Sequence, residues 1–583
     1  MPTITLDHSI LEYIQEINSV KHEPRLWDNW LTEIGCPVEF NNDDHIDIEV
    51  FPDRPDLLSH ETLAKASRSF LNYNLEDASM NIQKGENIVD VDKSLEEVRP
   101  IIMSAIVRGV KTGKNIADKE KFIQSLMDHQ EKLHLTLGRK RKLSSIGVHD
   151  LTKIKPPFRV KTVRSSFKFV PLSENSEMSI TEILNKHPKG IEYAHLMKDL
   201  EVFPIILDSE DNVISFPPII NGEQTTVTTE TKDFFIDVTG WDERACEACL
   251  LLICLSLEER GGAIENLEIV YPDKNNIITP NGEPIKHRVP EQLIQKILGV
   301  ELDNSQIKNS ITKMGGRLVE SRTVTNGPNK AERWSDCVIG EIEHIISMPR
   351  WRSDIMHPID IVEDIAIGFG YEKLPEQMSS VHLDSIPLRS AQMKRRIRAS
   401  LRALGLQEVQ SLTLSNERDQ FERTRWESKG KITKIANPIS QEHTILRQYI
   451  LPCLLQILSA NRHQELPQRI YELGHVVNDS KNNYTFSWSC AEVGGGFTSA
   501  KGYVQSLMRD LGISIDEVLF EPIEEDGPWL LGRGAKIIVQ GIEIGQFGEI
   551  DPIVSEKYGL KTPIHGGEFD IKEINKVASD PLI

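Results

Sequence analysis

Ile46, Ile48 and Val50 alternate with Asp47 and Glu49, a period of two that predicts a strand with one buried face. A tight Asp53-Arg54-Pro55-Asp56 turn follows. Leu63, Ala66 and Phe70 then recur at helical spacing, with Tyr73-Asn74 closing the unit. Phe234-Phe235-Ile236 predicts a short buried strand, and residues 242–260 predict a helix stopped by Gly261-Gly262. Pro290 predicts a helix start and Gly299 its end. Ile307, Ile311 and Met314 share one face of a second short helix that ends at Gly315-Gly316. Two short helices followed by strand-like sequence to about Ile346 predict a winged-helix layout. Beyond them, Met393, Ile397, Leu401 and Leu404 line one helix face opposite Lys394, Arg395, Arg398 and Arg402. Phe486, Trp488 and Cys490 alternate as a strand, and residues 537–544 read as a hairpin around Gln540-Gly541.

These patterns divide the chain into an α/β module (1–85), a second segment (86–275), a winged-helix-like segment (276–378) and a last segment (379–583) whose helices and strands predict an antiparallel sheet. The expected fold class is therefore α+β and multidomain. A length of 583 residues agrees, at roughly 150 per domain. With 39% apolar and 27% charged residues the composition excludes a disordered or fibrous chain. The longest largely apolar run, 248–257, is about half of what crosses a bilayer. The start lacks the basic and apolar parts of a signal peptide, and seven scattered cysteines form no disulfide framework. A cytoplasmic protein without membrane contact is expected.

Charge changes the picture in one place. The net charge is −21, yet between Arg108 and Lys168 there are 16 Lys or Arg against 5 Asp or Glu. A basic stretch in an acidic chain fits a local polyanion contact, and equally a solvated helical face with a basic loop.

Candidate chemistry is concentrated in one acidic block. Asp360, Glu363 and Asp364 stand at i, i+3 and i+4 on one helix face, and Asp354 can fold back to the same place. Hard carboxylate oxygens without His or Cys suit Mg²⁺, but spacing alone fits better an acidic first turn answering the helix dipole after Pro358. Cys246 and Cys249 form a CxxC inside a helix with no second pair, which favours core packing over zinc. Gly527 and Gly532 have P-loop spacing but Arg533-Gly534 follows, so there is no Walker A loop. His149 reads as a structural histidine or a lone general base. Ser215 and Asn221 flank a di-proline stretch, and Asp237 and Thr239 follow the Phe234-Phe235-Ile236 strand, where a turn is the simpler reading.

Taken together, the ordered motifs resemble the β subunit of phenylalanyl-tRNA synthetase of the archaeal and eukaryotic-cytosolic type. They are Asp53-Arg54-Pro55-Asp56-Leu57-Leu58-Ser59, Leu137-Gly138-Arg139 through Ile146-Gly147-Val148-His149-Asp150-Leu151, and Ser215 to Gly222. Ile236-Asp237-Val238-Thr239-Gly240, Glu259-Arg260-Gly261-Gly262, the Trp351 to Tyr371 block, Asn437-Pro438-Ile439-Ser440 and Phe547-Gly548-Glu549-Ile550 follow in order.

The resemblance implies an α2β2 heterotetramer that joins phenylalanine to tRNA(Phe) at the expense of ATP, with the adenylate made on the α subunit. It implies an editing (B3/B4-like) domain at 86–275 that hydrolyses tyrosyl-tRNA(Phe), with editing positions at Ser215, Asn221, Asp237 and Thr239. It implies a B5-like module at 276–378, with Mg²⁺ ligand positions at Asp354, Asp360, Glu363 and Asp364, which reverses the preference drawn from spacing. It implies a non-catalytic class II synthetase-like domain at 379–583 that contacts α. Two departures stand out: Asp53 replaces the family's usual Asn, and there is no room for the bacterial anticodon-binding modules. With no Ser-His-Asp pattern in the sequence, direct attack by water is the expected editing chemistry. A free-standing deacylase and a non-catalytic RNA scaffold are the competing readings; the synthetase-like last segment weighs against the first.

Overall fold

The alternation at Ile46 and Ile48 becomes the strand His45–Glu49, the centre of a three-stranded antiparallel sheet between Thr3–Asp7 and Val38–Asn41. Both isoleucines are buried against Leu11, Trp30 and Leu31. The following helix is His60–Phe70; the Ser59 side chain caps it by accepting from the Thr62 N–H. The structure, a computed structural model, describes residues 3–71, 78–327, 337–376 and 386–579. Tyr73-Asn74 and the expected start of the last segment near Ser380 lie outside them.

The chain divides into two compact units, residues 1–378 and 379–583, both mixing helices and sheets. The first three expected segments fall in the first unit. Its main sheet has eleven strands. Their order along the main path is Ile220–Asn221, Val213–Phe216, Val202–Leu207, Phe158–Arg164, Ile88–Val91, Ala263–Val270, Ile101–Arg108, Phe234–Gly240 and Ser144–Asp150. Helix Glu243–Glu258 packs on the Ile101–Arg108, Phe234–Gly240 and Ser144–Asp150 end of this sheet, capped at Asp242 and released at Gly261, whose φ is +75°. Cys246 and Cys249 sit in that buried contact, and burial pushes their thiols up to about 11 and about 12, which suits packing and not thiolate ligation.

The strand after Phe234 is longer than its sequence suggests. It runs to Gly240, every residue is buried, and it is paired on both sides, with Ile101–Arg108 and Ser144–Asp150. Asp237 and Thr239 are therefore strand residues, which corrects the turn reading. A carboxylate inside a sheet is tolerated because its partners come from the neighbouring strand. The outer strand Ser144–Asp150 is not left bare either. His134 and Gln130 of helix Ile116–Leu135 reach its edge, His134 Nε2 accepting from Ile146 N–H at 2.8 Å and Gln130 Nε2 donating to Ile146 O at 2.8 Å.

In residues 285–369, helices Glu291–Leu298 and Asn304–Lys313 follow the first strand of a three-stranded sheet ordered Ile285–Pro290, Ile342–Met348, Arg317–Thr323, and helix Pro358–Phe369 closes the module. Gly299 ends the first helix with φ +71°, as the sequence predicts.

The second unit is built on a seven-stranded sheet. The order is Gln407–Glu408, Gln468–Asn478, Lys481–Ala491, Ile564–Asp570, Ile542–Ile550, Trp529–Val539 and Val518–Pro522, and all pairs but the first are antiparallel. Met393, Ile397 and Leu401 pack with Phe486, Trp488 and Cys490 in one core, and helix Leu451–Ala460 nucleates a second. The hairpin turn is Gln540-Gly541, both at positive φ (52° and 77°), the geometry a two-residue turn between twisted strands demands. Among the described residues no helix is long and apolar enough to cross a membrane.

Candidate active site

A cavity of about 460 Å³ opens in the first unit between the end of the sheet and the di-proline loop. Met127, Val148, Leu172, Pro217, Ile219 and Val227 give it apolar walls, Ser145, Ser215, Asn221, Thr225 and Asp237 supply polar groups, and Glu131, Arg141, His187 and Lys189 also line it. A small number of convergent polar groups in an apolar cleft is the usual form of a small-molecule site. Three of the four expected editing residues thus line one cavity. Ser215 and Asn221 are cross-strand partners, and Ser215 Oγ donates to Asn221 Oδ1 at 3.3 Å. Thr239 is fully buried one step behind the wall, its Oγ1 3.0 Å from Ser145 Oγ.

Asp237 is held by a histidine. His149 Nε2 lies 2.7 Å from Asp237 Oδ2, and His149 Nδ1 lies 2.8 Å from Thr225 Oγ1. Register explains the spacing: Asp237 faces Gly147, with His149 diagonal to it on the same strand face. A Cβ at position 147 would overlap both Asp237 Oδ2 and His149 Nε2, so glycine there is what lets the carboxylate lie across the strand. The Thr225–His149–Asp237 chain has the residue types of a hydrolytic triad but not its layout. The threonine and the aspartate both line the cavity while the histidine, with no solvent exposure, lies behind them. It braces two wall residues, and water remains the better nucleophile.

A second brace involves two arginines that the sequence reading did not single out. Arg99 is buried, and among the described residues it has no carboxylate hydrogen-bond partner. It donates Nε–H to Thr239 Oγ1 at 2.7 Å, and Nη2 to Ser145 Oγ (3.0 Å), Thr239 O (2.7 Å) and Arg141 O (3.3 Å). Burial lowers its pKa to about 10, still well above neutrality, so it stays charged. Arg141 donates to Pro218 O and Ile219 O at 3.2 and 2.9 Å and to Glu131 Oε1 at 2.6 Å, with its guanidinium 4.4 Å from the Tyr193 ring centre. It clamps the di-proline loop onto the helix below. Burial would raise Glu131, but its hydrogen bond with His134 and the charge of Arg141 hold it down at about 2. Much of the basic stretch is likewise answered from outside it. Lys114, Lys119, Lys121, Lys155 and Arg159 pair with Glu16, Glu230, Asp7, Glu210 and Asp211. Arg139, Lys140 and Lys142 are exposed beside the cavity-lining Arg141.

The acidic block assembles differently from the expected metal site. Arg352 Nε donates to Asp354 Oδ1 at 2.9 Å, and its Nη2 donates to Asp354 Oδ2 at 2.6 Å and Asp364 Oδ1 at 3.0 Å. Asp360 Oδ2 accepts the N–H groups of Met356 and His357 at 2.7 Å each, and Glu363 is exposed. Among the described residues no group of three or more His, Cys, Asp or Glu is arranged to hold a metal ion. The Arg352 guanidinium thus answers two of the four carboxylates, Asp354 and Asp364, while Asp360 holds the turn before the helix and Glu363 faces solvent.

Archaeal proteins share this sequence throughout. The chain is 39% identical to the phenylalanine–tRNA ligase β subunit of Archaeoglobus fulgidus over 546 residues, covering 93% of this chain and 94% of that one. It is 37% identical to the same subunit of Methanococcoides burtonii, over 98% of this chain and all of the other. The chain belongs to the phenylalanine–tRNA ligase β-subunit family. Family models agree in order: a B3/4 domain on residues 99–249, a tRNA synthetase B5 domain on 287–371 and a phenylalanyl-tRNA synthetase β-chain CLM domain on 374–571. The crystal structure of an N-terminal fragment of the phenylalanyl-tRNA synthetase β subunit from Pyrococcus horikoshii is also similar. It superposes with a TM-score of 0.56 at 33% identity, covering 63% of this chain and 99% of the fragment. The β-subunit cavity described above lies within the B3/4 match.

Proposed function

We propose that this chain is the β subunit of an α2β2 phenylalanine–tRNA ligase, which with ATP joins phenylalanine to tRNA(Phe), and that its cavity hydrolyses tyrosyl-tRNA(Phe) made in error. The observation that carries the editing reading is Asp237: a carboxylate with almost no solvent exposure, anchored from behind by His149, at the wall of the cavity. Phenylalanine and tyrosine differ by one hydroxyl, and an apolar pocket rejects an added hydroxyl only about a hundredfold, so synthesis alone discriminates poorly. A second site whose buried acceptor needs that hydroxyl discriminates in the opposite direction. The ester is then cleaved by a water that the hydroxyl and amide groups of the wall hold in place, with oriented donors meeting the developing oxyanion.

The remaining parts fit this reading. The module at 285–369 corresponds to the winged-helix-like B5 expectation, and the antiparallel sheet of the second unit to a class II synthetase-like domain that meets α without catalysing. The exposed cations Arg139, Lys140 and Lys142 suit the phosphates of a tRNA end entering the cavity. Magnesium belongs in this reading to the ATP handled by α, not to the Arg352 cluster. The test is to purify this chain with and without its α partner. Only the pair should make phenylalanyl-tRNA, and the pair should clear preformed tyrosyl-tRNA(Phe). Charging by this chain alone would overturn the assignment of synthesis to α.

A further inference from the structure

Four hydrogen-bond distances fix the direction of a buried proton chain. Thr239 Oγ1 accepts from Arg99 Nε at 2.7 Å, Ser145 Oγ accepts from Arg99 Nη2 at 3.0 Å, and the two hydroxyls are 3.0 Å apart. The fourth distance, Arg99 Nη2 to Thr239 O at 2.7 Å, locks the guanidinium against the same strand. Each hydroxyl has one proton to give, and Arg99 can accept none. If Ser145 gave its proton to Thr239, the Thr239 proton would be left in a fully buried position without an acceptor, an arrangement folded proteins avoid. The satisfied arrangement has Thr239 donating to Ser145. Ser145 Oγ then receives from both Arg99 and Thr239, and its own proton is free. Ser145 lines the cavity; Thr239 does not.

Register places that proton beside the carboxylate. Thr239 faces Ser145 and Asp237 faces Gly147, so Ser145 and His149 are the two diagonal neighbours of Asp237. Asp237 Oδ2 is turned to His149, so Oδ1 is the oxygen that the histidine does not engage. Diagonal side chains of paired strands stand about 7–8 Å apart at their bases, a gap that one ligand oxygen can bridge once both side chains extend into it.

We propose that Ser145 is a specificity-determining residue: its hydroxyl donates to the same phenolic oxygen whose proton Asp237 accepts, with Arg99 and Thr239 as positioning residues that aim it. This rests on the editing reading above and adds to it a donor opposite the acceptor. A phenol satisfies both poles. A phenyl ring leaves both unpaired, which strengthens rejection of correctly charged phenylalanyl-tRNA. Thr239, on this view, acts through Ser145 and does not touch the ligand.

The test uses the αβ holoenzyme with preformed tyrosyl-tRNA(Phe) and phenylalanyl-tRNA(Phe), and reads both hydrolysis rates. Ser145→Ala and Thr239→Val should each slow tyrosyl-ester hydrolysis about tenfold, the scale of one lost hydrogen bond, and should not slow the phenylalanyl ester, whose ring no longer faces an unpaired donor. Thr239→Ser, which keeps the hydroxyl, should restore the wild-type ratio. If Thr239→Val does not fold, Ser145→Ala carries the test, because it leaves every Arg99–Thr239 bond in place. Variants that slow both substrates alike, or neither, would overturn the proposal, as would a Thr239→Ser enzyme no better than Thr239→Val. Wild-type holoenzyme that does not clear tyrosyl-tRNA would overturn the editing reading itself, and this inference with it, before any variant is compared.

Discussion

His149 and Asp237 meet at 2.7 Å with almost no solvent exposure on either side chain, 88 residues apart in the chain. Their contact depends on two strands pairing in one register and on glycine at position 147. His149→Leu would leave a buried carboxylate oxygen without its partner, a loss of about 1–3 kcal/mol for an unsatisfied group. Chemical denaturation should report that loss. Tyrosyl-tRNA hydrolysis should fall further than stability alone accounts for, because Asp237 is no longer aimed, while His149→Gln should recover part of the rate. A His149→Leu enzyme with wild-type editing would mean that Asp237 needs no brace.

Asp237→Asn keeps the volume and removes the acceptor charge. Loss of one oriented group in a hydrolytic site costs about 10²–10³ in rate. The variant holoenzyme should therefore accumulate tyrosyl-tRNA(Phe) yet charge phenylalanine at a near-normal rate, since synthesis is assigned to the other subunit. Parallel measurement of phenylalanine charging and of tyrosyl-tRNA clearance separates the two. Equal losses in both would place Asp237 in the general integrity of the fold.

Local pattern made the helices legible. Gly261, Gly299 and the Gln540-Gly541 turn stand where the sequence puts them, because capping and turn chemistry are decided within a few residues. The reach of the strand at Phe234–Gly240 was not legible. Asp237 and Thr239 break the apolar run and look like turn formers until His149, Ser145 and Arg99 arrive from other strands and loops. The residues the sequence singled out as editing positions line or adjoin one cavity, but the residues that aim them came only from pairing. Arg99, which stands just before the largely apolar run Ile101–Val107, was the one local hint. In the acidic block the shared helix face was legible from spacing, but the contact of Arg352 with Asp354 and Asp364 was not.

Glu131 gives the cavity a pH response. Its folded pKa of about 2 lies below the ordinary 4.5, so the charged form is the one that folding favours. The stabilisation is complete above 4.5 and is lost as the pH falls towards 2. Glu131→Gln removes it at every pH. The stability difference between wild type and Glu131→Gln should accordingly be constant above about pH 5 and shrink steadily below 4.5. Denaturant melts at intervals from pH 7 to the acid limit of folding would trace it. A difference that grew on acidification would mean that the Glu131–Arg141 clamp does not hold the carboxylate ionised.

Arg352 decides how the acidic block should answer magnesium. It bonds Asp354 and Asp364, stands 4.0 Å from Asp56 Oδ2, and Asp56 in turn takes two hydrogen bonds from Arg54 at 2.9 Å each. Burial would raise Asp354, but the Arg352 charge prevails and holds it below its ordinary range; at Asp364 burial prevails and raises it. The cluster joins the Asp53-Arg54-Pro55-Asp56 turn to the start of helix Pro358–Phe369, so two motifs far apart in sequence serve one contact. Arg352→Met would strand these carboxylates together, and removing one partner of a buried ion pair costs about 3–5 kcal/mol. Wild-type stability, by contrast, should be the same in excess chelator as in millimolar magnesium, because the charge that balances the carboxylates is covalently part of the chain. A wild-type melting temperature that falls on chelation and recovers with added Mg²⁺ would restore the metal site that the family resemblance implies at Asp354, Asp360, Glu363 and Asp364.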